Sequence, residues 1–180
     1  MNKIVKLTVI LFLVCAVTAG ILGGVYEITK DRIAEQQAIK TAKAYAAVLA
    51  SESYEEVPFD KAAFPTVDSV NKASNGQGYV VVTTFSGAQG SITMAVGVDT
   101  DAKCTGISII KHSETSGLGA NAASTSEVGV NFRGQFVGAD EAVALKKAGG
   151  SIDALTGATI TSRSVTEAVA KCIAAVKSLG

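Results

Sequence analysis

The stretch GYVVVTTFSGAQGSITMAVGVDTDAKCTGISIIKHS, residues 78–113, decides the fold of this chain. It holds three runs rich in β-branched residues, GYVVVTTFSG, GSITMAVGVD and GISIIKHS, which are separated by SGAQG and DTDAKCTG. Valine, isoleucine and threonine favour strands, while glycine and aspartate supply the backbone conformations that tight turns need. The stretch therefore predicts consecutive antiparallel strands.

The C-terminal segment carries an apolar stripe with the spacing of one helix face. Its members fall at i, i+3, i+4, i+7, i+8, i+11 and i+14, namely Val165, Ala168, Val169, Cys172, Ile173, Val176 and Leu179. Such a stripe predicts a helix that packs on the sheet. Ser164 and Glu167 fit a capping box, so we expect the helix to begin near Ser164. With a short helix expected over residues 140–148, the pattern predicts an α+β domain: an antiparallel sheet packed by helices.

The N-terminal segment contains an uncharged apolar run, LTVILFLVCAVTAGILGGVY, at residues 7–26. At about 1.5 Å per residue, a helix of this length matches a hydrocarbon core about 30 Å thick. A cleaved signal peptide would end near the small residues 17–19, but the apolar run continues beyond them, which favours a retained membrane helix. Lys3 and Lys6 favour a cytoplasmic N-terminus, which would leave the following domain outside the cytoplasm.

Charges and turn residues divide the rest of the chain. Apolar residues at helical spacing among charges predict a stalk helix after the membrane, and Pro58 and Pro65 mark a less regular connector. The sequence therefore predicts four segments: a cytoplasmic N-terminus at 1–6, a transmembrane helix at 7–26, a stalk helix and connector at 27–70, and an extracytoplasmic domain at 71–180.

Charge and cysteine content argue against two classes of protein. The chain has 16 basic and 16 acidic side chains, so it lacks the basic surplus of a nucleic-acid-binding protein. Cys104 and Cys172 have no CxxC partner, which gives poor support for a metal site. The sequence allows one disulfide between them, but two buried free thiols are the more common arrangement.

The stretch DALTGATITS, residues 153–162, lies just before the final helix. A helix N-terminus presents unpaired N–H groups and a positive dipole end, which suit a phosphate. Gly157 and Ala158 leave room for an approaching group, and the surrounding hydroxyls can donate hydrogen bonds or act as nucleophiles. The residues alone leave two interpretations open: a phosphate or modification site, or an ordinary turn with Thr161 or Ser162 as the helix N-cap.

A second unusual loop, HSETSGLG at residues 112–119, follows the last predicted strand. Its two glycines permit positive φ angles, and Glu114 and Thr115 offer hydrogen-bonding groups. His112 is the only histidine. A lone histidine is more often structural than catalytic, and no Ser/His/Asp set can be assembled around it from spacing.

Both loops resemble motifs of a known family. DALTGAT resembles the D-x-x-(S/T)-G-A-T flavinylation motif of FMN-binding domains, and HSETSGLG resembles their H-x-E-T-P-G-L-G loop. With the single N-terminal span and the NFRGQF segment between the motifs, nearly the whole chain resembles the RnfG family, the FMN-binding G subunits of the Rnf electron transport complexes. Ser116 stands where the family commonly has proline, so we expect a looser loop, and Thr156 stands where serine is commoner.

The resemblance implies a covalent cofactor. It implies FMN joined through its phosphate to Thr159 by a magnesium-dependent flavin transferase that takes FMN from FAD outside the cytoplasm. The matching recognition residues are Asp153, Thr156, Gly157 and Ala158. The matching residues of the loop that would bind the flavin are Glu114, Thr115, Gly117, Leu118 and Gly119.

The resemblance also implies a function. The chain would relay electrons, without a complete active site of its own, in a ferredoxin:NAD oxidoreductase that moves Na⁺ or H⁺, with the other membrane subunits as partners. One alternative is the equivalent flavin subunit of a Na⁺-translocating NADH:quinone reductase, although the connector here is short for that relative. Two others are a stand-alone extracellular flavoprotein and a non-redox anchored binding module in which GAT only begins a helix.

Overall fold

The computed structural model describes residues 2–179 and contains a long N-terminal helix, a five-stranded sheet and two further helices. The helices are α1 (Lys3–Val48), α2 (Glu127–Gly134) and α3 (Thr159–Lys177), and the strands are β1 (Tyr54–Val57), β2 (Val67–Ala73), β3 (Gly78–Ser86), β4 (Ser91–Asp99) and β5 (Cys104–His112). Two short 3-10 helices lie at Gly119–Ala123 and Lys146–Ala148. Internal contacts divide the chain into two units, Met1–Lys40 and Thr41–Gly180.

The first unit is a single helical segment with exposed side chains. Its most apolar 18-residue window has a mean hydropathy of 2.5, so α1 is long and apolar enough to cross a membrane. Beyond this window the helix becomes polar, and ion pairs join Glu27 to Lys30 and Arg32 to Glu35. The predicted N-terminal apolar helix is therefore present.

The second unit is built on an antiparallel sheet in the order β1-β2-β3-β4-β5. The predicted antiparallel pairing of β3, β4 and β5 is confirmed, with Ser86 opposite Ser91 at the β3–β4 turn and Val96 opposite Ile107. The sheet also includes β1, which lies inside the predicted connector, and β2, which begins there and ends within the predicted domain. β1 is the edge strand, and its residues are exposed or half-buried, whereas β2 buries Val67, Val70 and Ala73.

Helix α3 covers one face of the sheet, as the apolar stripe predicts. Val165, Val169 and Ile173 are buried with Val81 and Met94 in one core cluster. The opposite face is covered by the last turn of α1 and the residue after it: Ala44, Val48 and Leu49 pack with Ala73, Val80 and Ala95. The sheet of this unit is therefore packed on both faces.

The thiols of Cys104 and Cys172 are free and buried. Burial raises the pKa of Cys104 to about 11, and burial also raises the pKa of Cys172. The interpretation of both residues as small buried side chains is therefore confirmed.

Two helix predictions are wrong. Helix α3 begins at Thr159, five residues before Ser164, so Ser164 lies inside the helix and forms no capping box. Residues 140–148 hold only the 3-10 turn Lys146–Ala148. The backbone there bonds across to the following segment, because the Lys146 N–H donates to the Ile152 carbonyl and the Ile152 N–H donates to the Ala144 carbonyl.

Candidate functional site

Each of the two unusual loops forms a β-turn with glycine at the third position. In the first, the Leu118 N–H donates to the Thr115 carbonyl at 3.2 Å, and Gly117 has φ +77°. In the second, the Ala158 N–H donates to the carbonyl of the residue three before it at 3.0 Å, and Gly157 has φ +73°. This combination defines a type II turn, which requires glycine at that position because other residues are strained at positive φ.

The two turns contact each other. A Cβ atom placed on Gly157 would lie 2.9 Å from a methyl carbon of Leu118. The Leu118 side chain therefore packs on the backbone of Gly157, and a side chain at position 157 would push it away. The structure thus brings together the two motifs, which are far apart in the sequence.

The carboxylate of Glu114 joins three segments of the site. One oxygen, Oε1, accepts hydrogen bonds from the N–H groups of Ala88 at 2.9 Å and Gln89 at 3.1 Å, in the turn between β3 and β4. The other oxygen, Oε2, accepts a 2.6 Å hydrogen bond from the hydroxyl of Thr161 in the first turn of α3. Both oxygens are therefore occupied by the protein itself.

Glu114 stays ionised although it is only 8% exposed. Burial raises the pKa of a carboxyl group, but the Thr161 hydroxyl and the backbone N–H groups of Gln89, Ala88 and Gly90 outweigh burial and lower the pKa of Glu114. A fixed negative charge thus lies beneath the two turns.

Two glycines leave room for this carboxylate. A Cβ atom on Gly87 would lie 2.3 Å from Glu114 Oε1, and a Cβ atom on Gly119 would lie 2.3 Å from Oε2. The family motif includes Gly119, whereas the sequence contains no indication of Gly87 and indicates Thr161 only as a helix cap, not as a partner of Glu114. A buried carboxylate needs several hydrogen-bond donors and small residues around it, and this requirement is the only indication of their roles.

A cleft of about 320 Å³ lies between the two turns, and we call it the loop cleft. Its lining residues come from the β3–β4 turn, the 114–119 loop and the start of α3: Ala88, Gln89, Glu114, Thr115, Leu118, Gly119, Gly157, Ala158, Thr159, Ile160 and Thr161. Leu118 is 43% exposed and Ile160 60% exposed, so apolar side chains stand at its rim.

Thr159 is the first residue of α3 and is half-buried. The neighbouring hydroxyls are engaged, since Ser162 accepts from the Leu155 N–H and donates to the Ala158 carbonyl, both at 2.9 Å, and Thr161 binds Glu114. Within residues 2–179, the Thr159 hydroxyl forms no hydrogen bond to another protein group. The residue at the N-cap position is Ala158, without a side-chain cap, so the interpretation of Thr161 or Ser162 as the cap is wrong.

A second cleft, of about 260 Å³, adjoins Thr159 and is here called the cationic cleft. Its lining residues come from the segment before the second turn and from α3: Val143, Ala144, Leu145, Lys147, Ala148, Thr159, Arg163, Thr166 and Glu167. Thr159 is therefore shared by the loop cleft and the cationic cleft.

Asp153 and Thr156 lie outside the loop cleft. The Asp153 carboxylate pairs with Lys146 at 2.5 Å. The amide of Gln135 holds the Asp153 backbone on both sides, accepting from its N–H at 2.6 Å and donating to its carbonyl at 3.3 Å. Thr156 is exposed. These two motif residues are therefore exposed at the surface and do not line the loop cleft.

His112 ends β5, where its Nδ1 accepts a 3.3 Å hydrogen bond from the Glu114 N–H. It does not line the loop cleft. Its observed contact is with the backbone that leads into the Glu114 loop.

Comparison with known proteins gives matches along almost the whole chain. Residues 1–48 match the RnfG N-terminal region, and residues 87–174 match the FMN-binding domain. The G subunit of the ion-translocating oxidoreductase complex of Methanosarcina acetivorans is 37% identical over 179 residues, covering 93% of this chain and 92% of that protein. The G subunit of the proton-translocating ferredoxin:NAD⁺ oxidoreductase complex of Clostridium ljungdahlii is 33% identical, covering 96% of this chain and 91% of that protein.

Among solved structures, the C subunit of the Na⁺-translocating NADH-quinone reductase of Parabacteroides distasonis is 24% identical, with a TM-score of 0.48. The match covers 66% of this chain and 65% of that chain.

The identities to these G subunits confirm the family resemblance that the two loop motifs indicate, and the match over residues 87–174 confirms an FMN-binding domain. The G subunits of this family are parts of ion-translocating oxidoreductase complexes, so an oxidoreductase subunit that uses FMN is the role consistent with the site. The chain belongs to the RnfG family, the G subunits of the Rnf-type ion-translocating oxidoreductase complexes, and it is an electron-transfer flavin subunit of that family.

Proposed function

We propose that this protein carries FMN linked through its phosphate to Thr159 and relays electrons in an Rnf-type ferredoxin:NAD oxidoreductase coupled to Na⁺ or H⁺ movement. The observation that carries the proposal is the position of Thr159. Its side chain is half-buried, lies at the first residue of α3 and borders the loop cleft, while the hydroxyls of Thr161 and Ser162 are held by the fold.

The residues of the loop cleft fit a flavin. A flavin ring system needs a flat apolar surface with a few polar groups, and ligand sites are commonly clefts of about 300–1,000 Å³. The loop cleft, at about 320 Å³, offers Leu118 and Ile160 as apolar surface beside the backbone of the two turns. Thr115 and Gln89 supply polar groups at its edge.

Glu114 has a different role from the direct flavin contact that the family loop implies. Both of its carboxylate oxygens are bound within the protein, and it is buried in the wall of the cleft. We therefore assign it to holding the walls of the cleft together. Thr115, Leu118 and the backbone of Gly119 are the other parts of the loop that line the cleft and would bind the ring, while Gly117 shapes the turn and does not line the cleft.

Attachment is a phosphoryl transfer with Thr159 as acceptor. The Thr159 oxygen forms a bond to the FMN phosphorus of FAD, the bond from that phosphorus to the bridging oxygen breaks, and AMP leaves. The hydroxyl proton passes to a base of the flavin transferase, which also supplies the magnesium ion. Thr156 and Gly157 are exposed, so the backbone that precedes Thr159 is open to an approaching enzyme.

Bound FMN would supply one- and two-electron redox chemistry. The chain itself needs only to hold the cofactor and exclude competing reactions. The electron donor and acceptor would be other membrane subunits of the complex.

We further propose a single-pass arrangement. Residues 1–6 would lie in the cytoplasm, residues 7–26 would span the membrane, and the chain from residue 27, including the FMN-binding domain, would lie outside. Lys3 and Lys6 support this orientation, since basic residues are retained on the cytoplasmic side. A covalent link then has a physical purpose, because it keeps the flavin at high effective concentration in a compartment where free FMN would be diluted.

The test is direct detection of the adduct on the full chain in membranes, co-expressed with a flavin transferase. We expect a fluorescent band on a denaturing gel and an intact mass raised by one FMN. Thr159→Ala should remove both signals, Thr159→Ser should retain them at a lower level, and Ser164→Ala is the matched control within α3. A wild-type chain without adduct would contradict the covalent redox function and favour the non-redox binding module, while full flavinylation of Thr159→Ala would contradict the site.

A further inference from the structure

Two cations share the cationic cleft with Thr159. Arg163 follows Thr159 by four residues on α3, so the two side chains lie on the same helix face. Helical side chains lean toward the helix N-terminus, which directs Arg163 back toward Thr159. Lys147, from the 3-10 turn Lys146–Ala148, lines the same cleft from the opposite wall.

Lys147 also faces Thr159 from a third cleft, of about 310 Å³, which contains the DALTGAT turn. Its neighbour Lys146 is neutralised there by Asp153. Neither Lys147 nor Arg163 forms an ion pair within residues 2–179, and the carboxylate that shares their cleft is Glu167. The surroundings of Thr159 on this side therefore hold two cations and one anion, so they are net positive.

We propose that Lys147 and Arg163 form a phosphate-binding subsite that positions the phosphodiester at Thr159. Thr159 stands where the loop cleft, with its apolar rim, meets the cationic cleft, which matches the division of FMN into an apolar ring and an anionic phosphate. Guanidinium and ammonium groups are the usual protein partners of phosphate oxygens. The inference rests on the proposed attachment at Thr159 and assigns these two residues a positioning role within it.

The subsite predicts that only cations close to Thr159 affect the rate of flavinylation. Lys171 provides the matched control: it is exposed, lies on the same helix, and follows Arg163 by two turns. It is about 18 Å from Thr159 along the helix axis. This distance exceeds the Debye length of about 8 Å at physiological ionic strength, so its charge is screened from Thr159.

The experiment uses the full chain in membranes with a flavin transferase and limiting FAD, and follows the flavinylated fraction by intact mass over time. Lys147→Gln and Arg163→Gln should each slow flavinylation by up to about fivefold, as expected for one exposed cation–anion contact. The double variant should be slower than either, Arg163→Lys should recover most of the rate, and Lys171→Gln should match the wild type.

A second readout tests the finished protein. In purified flavinylated protein, the ³¹P resonance of the phosphodiester should move in the Lys147→Gln/Arg163→Gln variant and stay unchanged in Lys171→Gln. Equal flavinylation rates and equal ³¹P resonances in the wild type and the double variant would overturn the subsite while leaving the adduct at Thr159 intact. An equal loss of rate in Lys171→Gln would also overturn it, because the effect would then be one of general charge. A wild type without any adduct would overturn the proposed function and the subsite together.

Discussion

The hydroxyl of Thr161 donates a 2.6 Å hydrogen bond to the carboxylate of Glu114, and both side chains are buried. The two residues are 47 positions apart in the chain. This bond ties the first turn of α3, which carries Thr159, to the loop that forms the opposite wall of the loop cleft. Its strength should therefore determine both local stability and the geometry of the site.

Removing the Glu114 charge should destabilise the FMN-binding domain. Glu114→Gln replaces one acceptor oxygen with a donor, so a buried N–H or hydroxyl loses its partner, at a cost of about 1–3 kcal/mol. Thermal unfolding of the full chain in detergent, followed by near-UV circular dichroism, measures the change. Thr161→Val and the double variant complete a cycle, and additive effects of the two substitutions would contradict a direct bond.

The same carboxylate should make stability depend on pH. The pKa of Glu114 is lower in the folded protein than in the unfolded chain, so its contribution is fully present above the ordinary glutamate pKa of about 4.3. That contribution is lost as the pH falls below this value and through the lower folded pKa. Unfolding temperatures measured from pH 7 to pH 3 should fall less steeply in Glu114→Gln than in the wild type, and parallel curves would contradict the assignment.

A side chain at Gly119 should displace the carboxylate. In Gly119→Ala, the new Cβ atom would lie 2.3 Å from Glu114 Oε2 and 2.6 Å from the Thr161 hydroxyl, so one partner must move. We expect a loss of about 1–3 kcal/mol in unfolding free energy, typical of overpacking. Gly134→Ala in α2 is the control, because its Cβ meets nothing within 4 Å. Equal stability of the two variants would show that the carboxylate site tolerates rearrangement.

Proline at position 116 should stabilise the β-turn formed by residues 115–118. Ser116 is the second residue of the type II turn 115–118, a position where the fixed φ of proline fits. Ser116→Pro is expected to add about 0.4–1 kcal/mol by restricting the unfolded chain. Gly117→Ala provides the contrast, since φ +77° is strained for alanine and the unfolding temperature should fall. A fall in the proline variant would mean that the turn departs from type II geometry.

The central strands and the last helix could be predicted because their patterns are local. Three β-branched runs separated by turn residues predict β3, β4 and β5, and the apolar stripe predicts α3. Strands β1 and β2 escape prediction because YEEV and VDSVNKA are short and polar on their exposed face. Their strand conformation depends on pairing, of β1 with β2 and of β2 with β3, which no local pattern reveals.

Only those parts of the site that belong to a recognisable sequence motif could be predicted. The predicted start of α3 is misplaced because Ser164 and Glu167 imitate a capping box. The true start is set by the Gly157 turn and by hydroxyls that bond to Glu114 and Ala158. The role of Gly87 and the bond from Thr161 to Glu114 could not be predicted, because the carboxylate approaches both residues only in the folded chain.

The last turn of α1 also determines where the chain can be cut. Ala44, Val48 and Leu49 cover Ala73, Val80 and Ala95, and the Thr105 hydroxyl donates to the Val48 carbonyl. A truncated protein that begins at β1 would expose this apolar sheet face to water and would tend to associate through it. A soluble version suited to redox or spectroscopic work should therefore begin no later than Thr41, where the compact unit starts.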